Sequence, residues 1–319
     1  MLVELEEALE HGKSFSFSES FSFPLAGSGG KNENDYAERE RANTMPLIDA
    51  HVHLYPPAVD RDPGAWAAAQ GERHWAVLCT RQRRDGRLVQ TLPTTEQLLR
   101  TMDAAGVDRA VLLGWYWEKP ETCAWQNRFY AAAVRAHPDR LAAFATLHPA
   151  GGREATLEEV RRAHGEGLAG LGELSPHAQG YAVDDPVFRD ALVLAGELQL
   201  PVNLHVTDPD SRPFPGRIET PVEGFLRLAR SFPATTFILA HWGGLLPLRD
   251  AGALQLGNVF YDTAASPLLY DAGVWNRFLA VVPAERVLFG SDFPLNLYPK
   301  LDELPAMGCL IADARAAGL

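Results

Sequence analysis

From Met45 onward, short runs rich in Val, Leu, Ile and Phe alternate with longer segments in which apolar residues recur every three to four positions. The short runs predict strands and the longer segments predict crossover helices. Eight strands can be counted: "LIDAHVHL", "RAVLLGW", "LAAFATLH", "LAGLGEL", "PVNLHV", "TFILAHW", "VFYDTAA" and "RVLFGSDFP". Among the helices, "TTEQLLRTMDAAG" opens on Thr94 and Thr95 as caps and stops at Gly106, and "VFRDALVLAGELQ" follows the fourth strand. Strict alternation favours an α/β fold closed as a (β/α)8 TIM barrel over an open doubly wound sheet. The segment 45–319 is also close to the roughly 250 residues such a barrel needs. The stretch from Pro56 to Pro93, containing "RQRRDGR", is long for a strand-to-helix loop and is expected to fold over the barrel mouth.

Before Met45 the pattern changes. "SFSFSESFSF" is followed by "GSGGKNENDYAERERAN", polar, Gly-rich and without periodicity, so residues 1–44 are expected to be a low-complexity, disordered extension. Phe15, Phe17, Phe21 and Phe23 recur on period two, which an added edge strand would also produce.

Composition narrows the function classes. An apolar share of 46% allows a large core, and a net charge of −12 disfavours nucleic acid and anionic membrane surfaces as partners. No apolar run is long enough to cross a bilayer, and the acidic "MLVELEEALE" is unlike a secretory signal, so a cytoplasmic protein is expected. Cys79, Cys123 and Cys309 form no C-x-x-C pair and read as packing residues.

In a barrel of this kind the active site lies at the carboxyl ends of the strands. There the chain places His51 and His53 (strand one), Glu173 (four), His205 (five), His241 (six) and Asp292 (eight). Residues 51 and 53 share one face of a strand and can reach one ion. Each residue alone has a plainer explanation: a hydrogen-bonded core histidine for His205, a turn cap for Asp292, a helix cap or ion pair for Glu173. Their coincidence at matching depth favours a metal site. Nitrogen and carboxylate donors without cysteine suit one divalent ion, Zn²⁺ first, with Mn²⁺, Fe²⁺ or Co²⁺ as alternatives. No lysine ends strand four, so a lysine-bridged ion pair is excluded, leaving one ion or two sharing Glu173.

Together "IDAHVHL", "GLGELSP", "PVNLHV", "FILAHWGG", "VFYDTAAS" and "VLFGSDFP" resemble the amidohydrolase superfamily. The closer likeness is to its amidohydrolase-related branch, which includes aminocarboxymuconate semialdehyde decarboxylase, related decarboxylases and lactone hydrolases. The resemblance implies a distorted (β/α)8 barrel with a metal on His51, His53, His205 and Asp292; Glu173, at the end of strand four, is a further candidate ligand from its position. The resemblance also puts His241 beside a bound water. The expected activity is hydrolysis of a small lactone, ester or amide by metal-activated water, with Asp292 carrying the proton and His241 orienting the water. The alternatives are decarboxylation of a small aromatic or muconate-like carboxylate, or a non-catalytic barrel. Substrate contacts are expected from Trp115, Trp117, Trp242 and His177, and from Arg212 and Arg217 as carboxylate partners. The expected partner is a small molecule, and a homodimer is compatible with the helical outer surface.

Overall fold

A computed structural model describes residues 46–82, 86–295 and 307–319. The extension 1–44, with its four period-two phenylalanines, lies outside the described residues. Eight strands follow one another in the order read from the sequence: β1 (Ile48–Val52), β2 (Arg109–Leu112), β3 (Leu141–Ala143), β4 (Leu171–Leu174), β5 (Val202–Leu204), β6 (Phe237–Leu239), β7 (Val259–Asp262) and β8 (Val287–Leu288). They form two wholly parallel sheets, β1-β2-β3 and β4-β5-β6-β7-β8. Parallel bridges join the sheets at both seams. Ala145 pairs with Leu171, and Val52 pairs with Phe293. At the second seam Ala50 N–H donates to Phe289 O (2.8 Å), Asp292 N–H to His51 O (2.9 Å) and His53 N–H to Phe293 O (2.7 Å).

The crossover helices follow the local rules that the sequence suggested. Thr94 caps helix Thr95–Ala105 in a reciprocal box: its hydroxyl accepts from Gln97 N–H, while Gln97 Oε1 accepts from Thr94 N–H at 2.7 Å. Gly106, at φ 71°, ends that helix. Asp185 caps helix Pro186–Glu197 by accepting from the N–H groups of Val187 and Phe188. On helix Val222–Ser231, residues Val222, Phe225, Leu226 and Ala229 are buried, a 3.6-residue stripe facing the sheet. Burying each of its large apolar side chains is worth about 1.5–3 kcal/mol.

The stretch after β1 is not a simple loop. It folds into helices Pro63–Gln70 and Arg73–Cys79, whose Ala67, Trp75 and Cys79 pack with Tyr55, Trp115, Tyr116 and Trp117 in an apolar cluster separate from the main core. Glu72 and His74 tie it down: Glu72 Oε2 accepts from Glu118 N–H and Glu118 Oε2 from His74 N–H, both at 2.7 Å. Among the described residues no helix is long and apolar enough to cross a membrane.

Candidate metal centre and cavity

The strands are shorter than their apolar runs: β1 and β4 hold His51 and Glu173 next to their last residues, while the later ligand candidates follow the strand ends. β5 ends at Leu204, before His205; β6 ends at Leu239, two residues before His241. All five residues from His241 to Leu245 then adopt positive φ between 55° and 59°. A left-handed conformation costs a non-glycine residue roughly 1–2 kcal/mol, so this turn needs support. Asp262 Oδ1 accepts from His241 N–H at 3.0 Å, and the Trp242 indole donates to Ser266 Oγ at 2.7 Å. Arg249 also donates to the Gly244 carbonyl. Asp292 too has positive φ (62°).

The six strand-end residues converge. His51 Nδ1–H donates to Asp262 Oδ2 at 2.9 Å, and His53 Nδ1–H donates to the Leu113 carbonyl at 3.0 Å. With both Nδ1 atoms committed to acceptors, the two Nε2 atoms face each other at 3.1 Å. Such a pair is held together only by a shared proton or a cation. Glu173 Oε2 lies 3.7 Å from His53 Nε2 and 3.9 Å from His51 Nε2. Asp292 Oδ1 lies 3.6 and 3.9 Å from the same atoms. Donors sharing one ion at about 2.0–2.2 Å sit about 3–3.5 Å apart, so modest contraction would bring these four groups onto one ion. The other Glu173 oxygen accepts from His205 Nδ1 at 2.8 Å and is 3.3 Å from His241 Nε2. Glu173 thus belongs to two triads, His51–His53–Glu173 and Glu173–His205–His241, each with ligand atoms within 4.8 Å of one another. The donor set fits a divalent ion.

The charges agree with that fit. Burial alone would lower the His51 pKa, but the adjacent Asp262 carboxylate outweighs it and pushes it up to about 10. Burial, together with the neighbouring His51 charge, holds His53 below the usual histidine value. Burial would raise Glu173, yet His205, His241 and His51 around it hold it well below the usual carboxylate range. Burial is likewise overcome at His241, raised by Glu173, and at Asp262, lowered by His51. In the metal-free site, then, one proton resides on His51, where an ion would take its place.

Asp262 was missed by sequence reasoning because "VFYDTAA" put it in the middle of the seventh strand, whereas β7 ends on it; an acid inside that apolar run was the available signal. Its two oxygens accept from His51, from Asn203 Nδ2 (3.0 Å) and from the N–H groups of His241 and Ala264. It fixes the tautomer of one candidate ligand and the backbone of another.

A cavity of about 110 Å³ opens over this floor, where His53, Glu173, His205, His241 and Asp292 line it. Trp115 and Tyr116 stack on each other (ring centroids 4.3 Å apart) and form part of its wall. Other expected contacts are not in it. Trp117 is fully buried, its indole donating to Gln126 Oε1 at 2.6 Å, because helix Pro120–Ala136 draws it away from the cavity. Trp242 is also fully buried, edge-on to Trp275 and Phe278. Arg212 is exposed and does not line the cavity. Arg217 does, but its guanidinium is spent on Ser211, on Glu219 and on the carbonyls of Asp208 and Pro209. His177 lines a different groove.

The same wall holds residues that sequence reasoning did not single out. Arg81 and Gln90 come from the stretch after β1. Arg81 lies over the Phe214 ring (5.4 Å) and has no ion pair among the described residues. Its Nε, Gln90 Nε2 and Trp115 Nε1 are buried nitrogens with no hydrogen-bond partner among the described residues. Three unmet donors in one wall favour an oxygen-rich, anionic guest.

A family model described as amidohydrolase, the amidohydrolase 2 model, matches residues 48–316. The chain belongs to the amidohydrolase family. No curated protein sequence matches it significantly. Solved structures similar in fold include 2,6-dihydroxybenzoate decarboxylase from Rhizobium (20% identity, TM-score 0.55, 86% of this chain and 98% of that one). Another is 5-carboxyvanillate decarboxylase from Novosphingobium aromaticivorans, complexed with manganese and 4-hydroxy-3-methoxy-5-nitrobenzoic acid (18%, 0.63, 85% and 93%). A third is a probable 2-pyrone-4,6-dicarboxylic acid hydrolase from Acinetobacter baumannii with citric acid bound (15%, 0.53, 86% and 95%). The chain is therefore an enzyme of the amidohydrolase superfamily.

Proposed function

We propose that this amidohydrolase is a divalent-metal-dependent decarboxylase of a small ring-shaped carboxylic acid, its eight strands closed as a barrel through the two bridged seams. The observation that carries the substrate class is Arg81, a cation without an ion-pair partner in the wall facing the histidine floor. Hydrolysis was the first expectation from sequence; the unmet donors of this wall move a carboxylate substrate ahead of a neutral ester or amide. The stacked Trp115 and Tyr116, and the small cavity, suit a single ring.

His51, His53, Glu173 and Asp292 would hold the ion, with His205 and His241 completing the surround. When bound, it supplies a Lewis acid that polarises an oxygen of substrate or water. Arg81 anchors and orients a carboxylate, Gln90 and Trp115 offer further donors, and the aromatic pair keeps bulk water from the ring. Asp292 is the proton carrier, passing a proton taken up from water to the ring carbon that loses CO₂, while His241, held by Asp262 and the Ala264 carbonyl, orients the reacting group. Manganese beside an aromatic acid in the Novosphingobium decarboxylase supports Mn²⁺ as well as Zn²⁺.

A second reading is opening of a carboxylated lactone, which the same anchor would serve and which the likeness to the probable Acinetobacter hydrolase favours. Product analysis after Mn²⁺ or Zn²⁺ loading separates them. CO₂ release from hydroxylated benzoates supports decarboxylation. Ring opening of carboxylated lactones without CO₂ supports the second reading, and turnover of neither class would overturn the proposal.

A further inference from the structure

Beyond the catalytic cavity, we propose that a groove on the outer surface is a second binding site, for a small organic oxyanion: a carboxylate or phosphate carried on an apolar body. The groove measures about 520 Å³ and lies between the turn after β4, helix Pro186–Glu197 and helix Val222–Ser231. That volume is within the roughly 300–1,000 Å³ typical of ligand sites.

Its chemistry is two-sided. Val183 and Leu228 supply apolar lining, and Arg189 and Arg227 bring one guanidinium from each helix. Neither arginine makes an ion pair among the described residues; Arg189 lies over the Phe232 ring at 4.8 Å. Many other arginines on this strongly acidic chain are paired, as with Arg140 and Asp103, Arg153 and Asp190, and Arg277 and Asp271. Asp184 is the one acid in the lining, so the groove keeps a net positive charge in a chain of net charge −12. Ser231 adds a hydroxyl.

His177 supplies a further, independent sign. Its ring lies edge-on to Phe225, and its Nδ1 is buried with no hydrogen-bond partner among the described residues. Burial lowers its pKa, so at neutral pH the ring is uncharged and that nitrogen is an unmet polar atom at the lining of the groove. Planar guanidinium groups suit oxyanions because they donate two parallel hydrogen bonds. The groove is a space of its own: in the turn Pro176–Gln179, His177 lines it while the next residue, Ala178, lines the catalytic cavity.

Calorimetric titration of the full chain with benzoate, and separately with inorganic phosphate, tests the site. Both guanidinium groups are solvent-exposed, so the double variant Arg189→Ala/Arg227→Ala should fold with an unchanged melting temperature. At least one probe should saturate the wild type, and the double variant should weaken that binding by about tenfold or more. Benzoate also suits the catalytic cavity, so the same titrations are run on Arg81→Ala protein, in which the binding that remains is that of the groove. Benzoate binding alone would identify the ligand as a carboxylate on an apolar body, and phosphate binding alone as a phosphorylated one. Equal binding by the double variant, loss of all binding in Arg81→Ala, or no saturation by about 50 mM of either probe would each overturn the proposal.

Discussion

The floor and the wall of the catalytic cavity are built on opposite principles. On the floor two buried carboxylates are committed: Asp262 accepts four hydrogen bonds, and Glu173 sits among four histidines. On the wall, Arg81, Gln90 and Trp115 keep buried nitrogens without partners among the described residues. A saturated region is organised before anything binds, whereas unmet donors gain their partners from a guest. On the function proposed above, reactivity would reside in the strand ends and substrate choice in the loops that follow β1 and β2.

The largest effect that could break this comparison comes from the floor. His51→Ala and His53→Ala should each lose bound metal and turnover together, as read by elemental analysis of the purified variants; full metal content would remove that pair from the centre. Asp262→Asn should keep the fold but reduce metal affinity by about 10–100-fold, because His51 loses the carboxylate that fixes its tautomer. Competition with a metal-sensitive dye checks this.

The wall should respond differently. Arg81→Ala should retain its metal while KM rises about 10–100-fold, the range expected from losing a charge-assisted hydrogen bond of about 1.5–3 kcal/mol. A loss of metal with unchanged KM would reverse the assignment of the two regions. The pH dependence belongs to the floor alone. His51 in metal-free protein keeps its proton up to about pH 10, and an ion must displace it. Apparent metal affinity should therefore rise about tenfold per pH unit from pH 7 to 9 and level off near 10, which equilibrium titrations at fixed ionic strength would measure. The smallest effect tests the core behind the floor. Trp242→Phe should cost about 1 kcal/mol of stability through loss of the indole hydrogen bond to Ser266. It should leave KM unchanged, since Trp242 does not line the cavity.

Strand order was legible because each apolar run is bounded by turn residues, and parallel strands buried on both faces read as near-continuous apolar segments. The residues at the ends of those runs, His51, His53, Glu173, His205, His241 and Asp292, were legible for the same reason: a strand places its last residues at a common depth. What could not be read depends on contacts distant in sequence. Trp115 and Trp117 are two positions apart and would share a face in a strand. After β2 the chain is no longer a strand, and Gln126 takes the Trp117 indole to the opposite side. Arg81 is one of several arginines in "RQRRDGR"; helix Arg73–Cys79 and the Phe214 ring, 133 positions away in the chain, select it. Arg217 looked available by position, but the turn that presents it also supplies Ser211 and Glu219, which occupy it.

The most direct test of the central claim is a titration of chelator-treated wild-type protein with Mn²⁺ or Zn²⁺ near pH 8, following bound metal and released protons together. One ion per chain, displacing about one proton, is the expected result. No saturable uptake of either ion would contradict it, leaving His51 and His53 joined by a shared proton in a site that holds no metal.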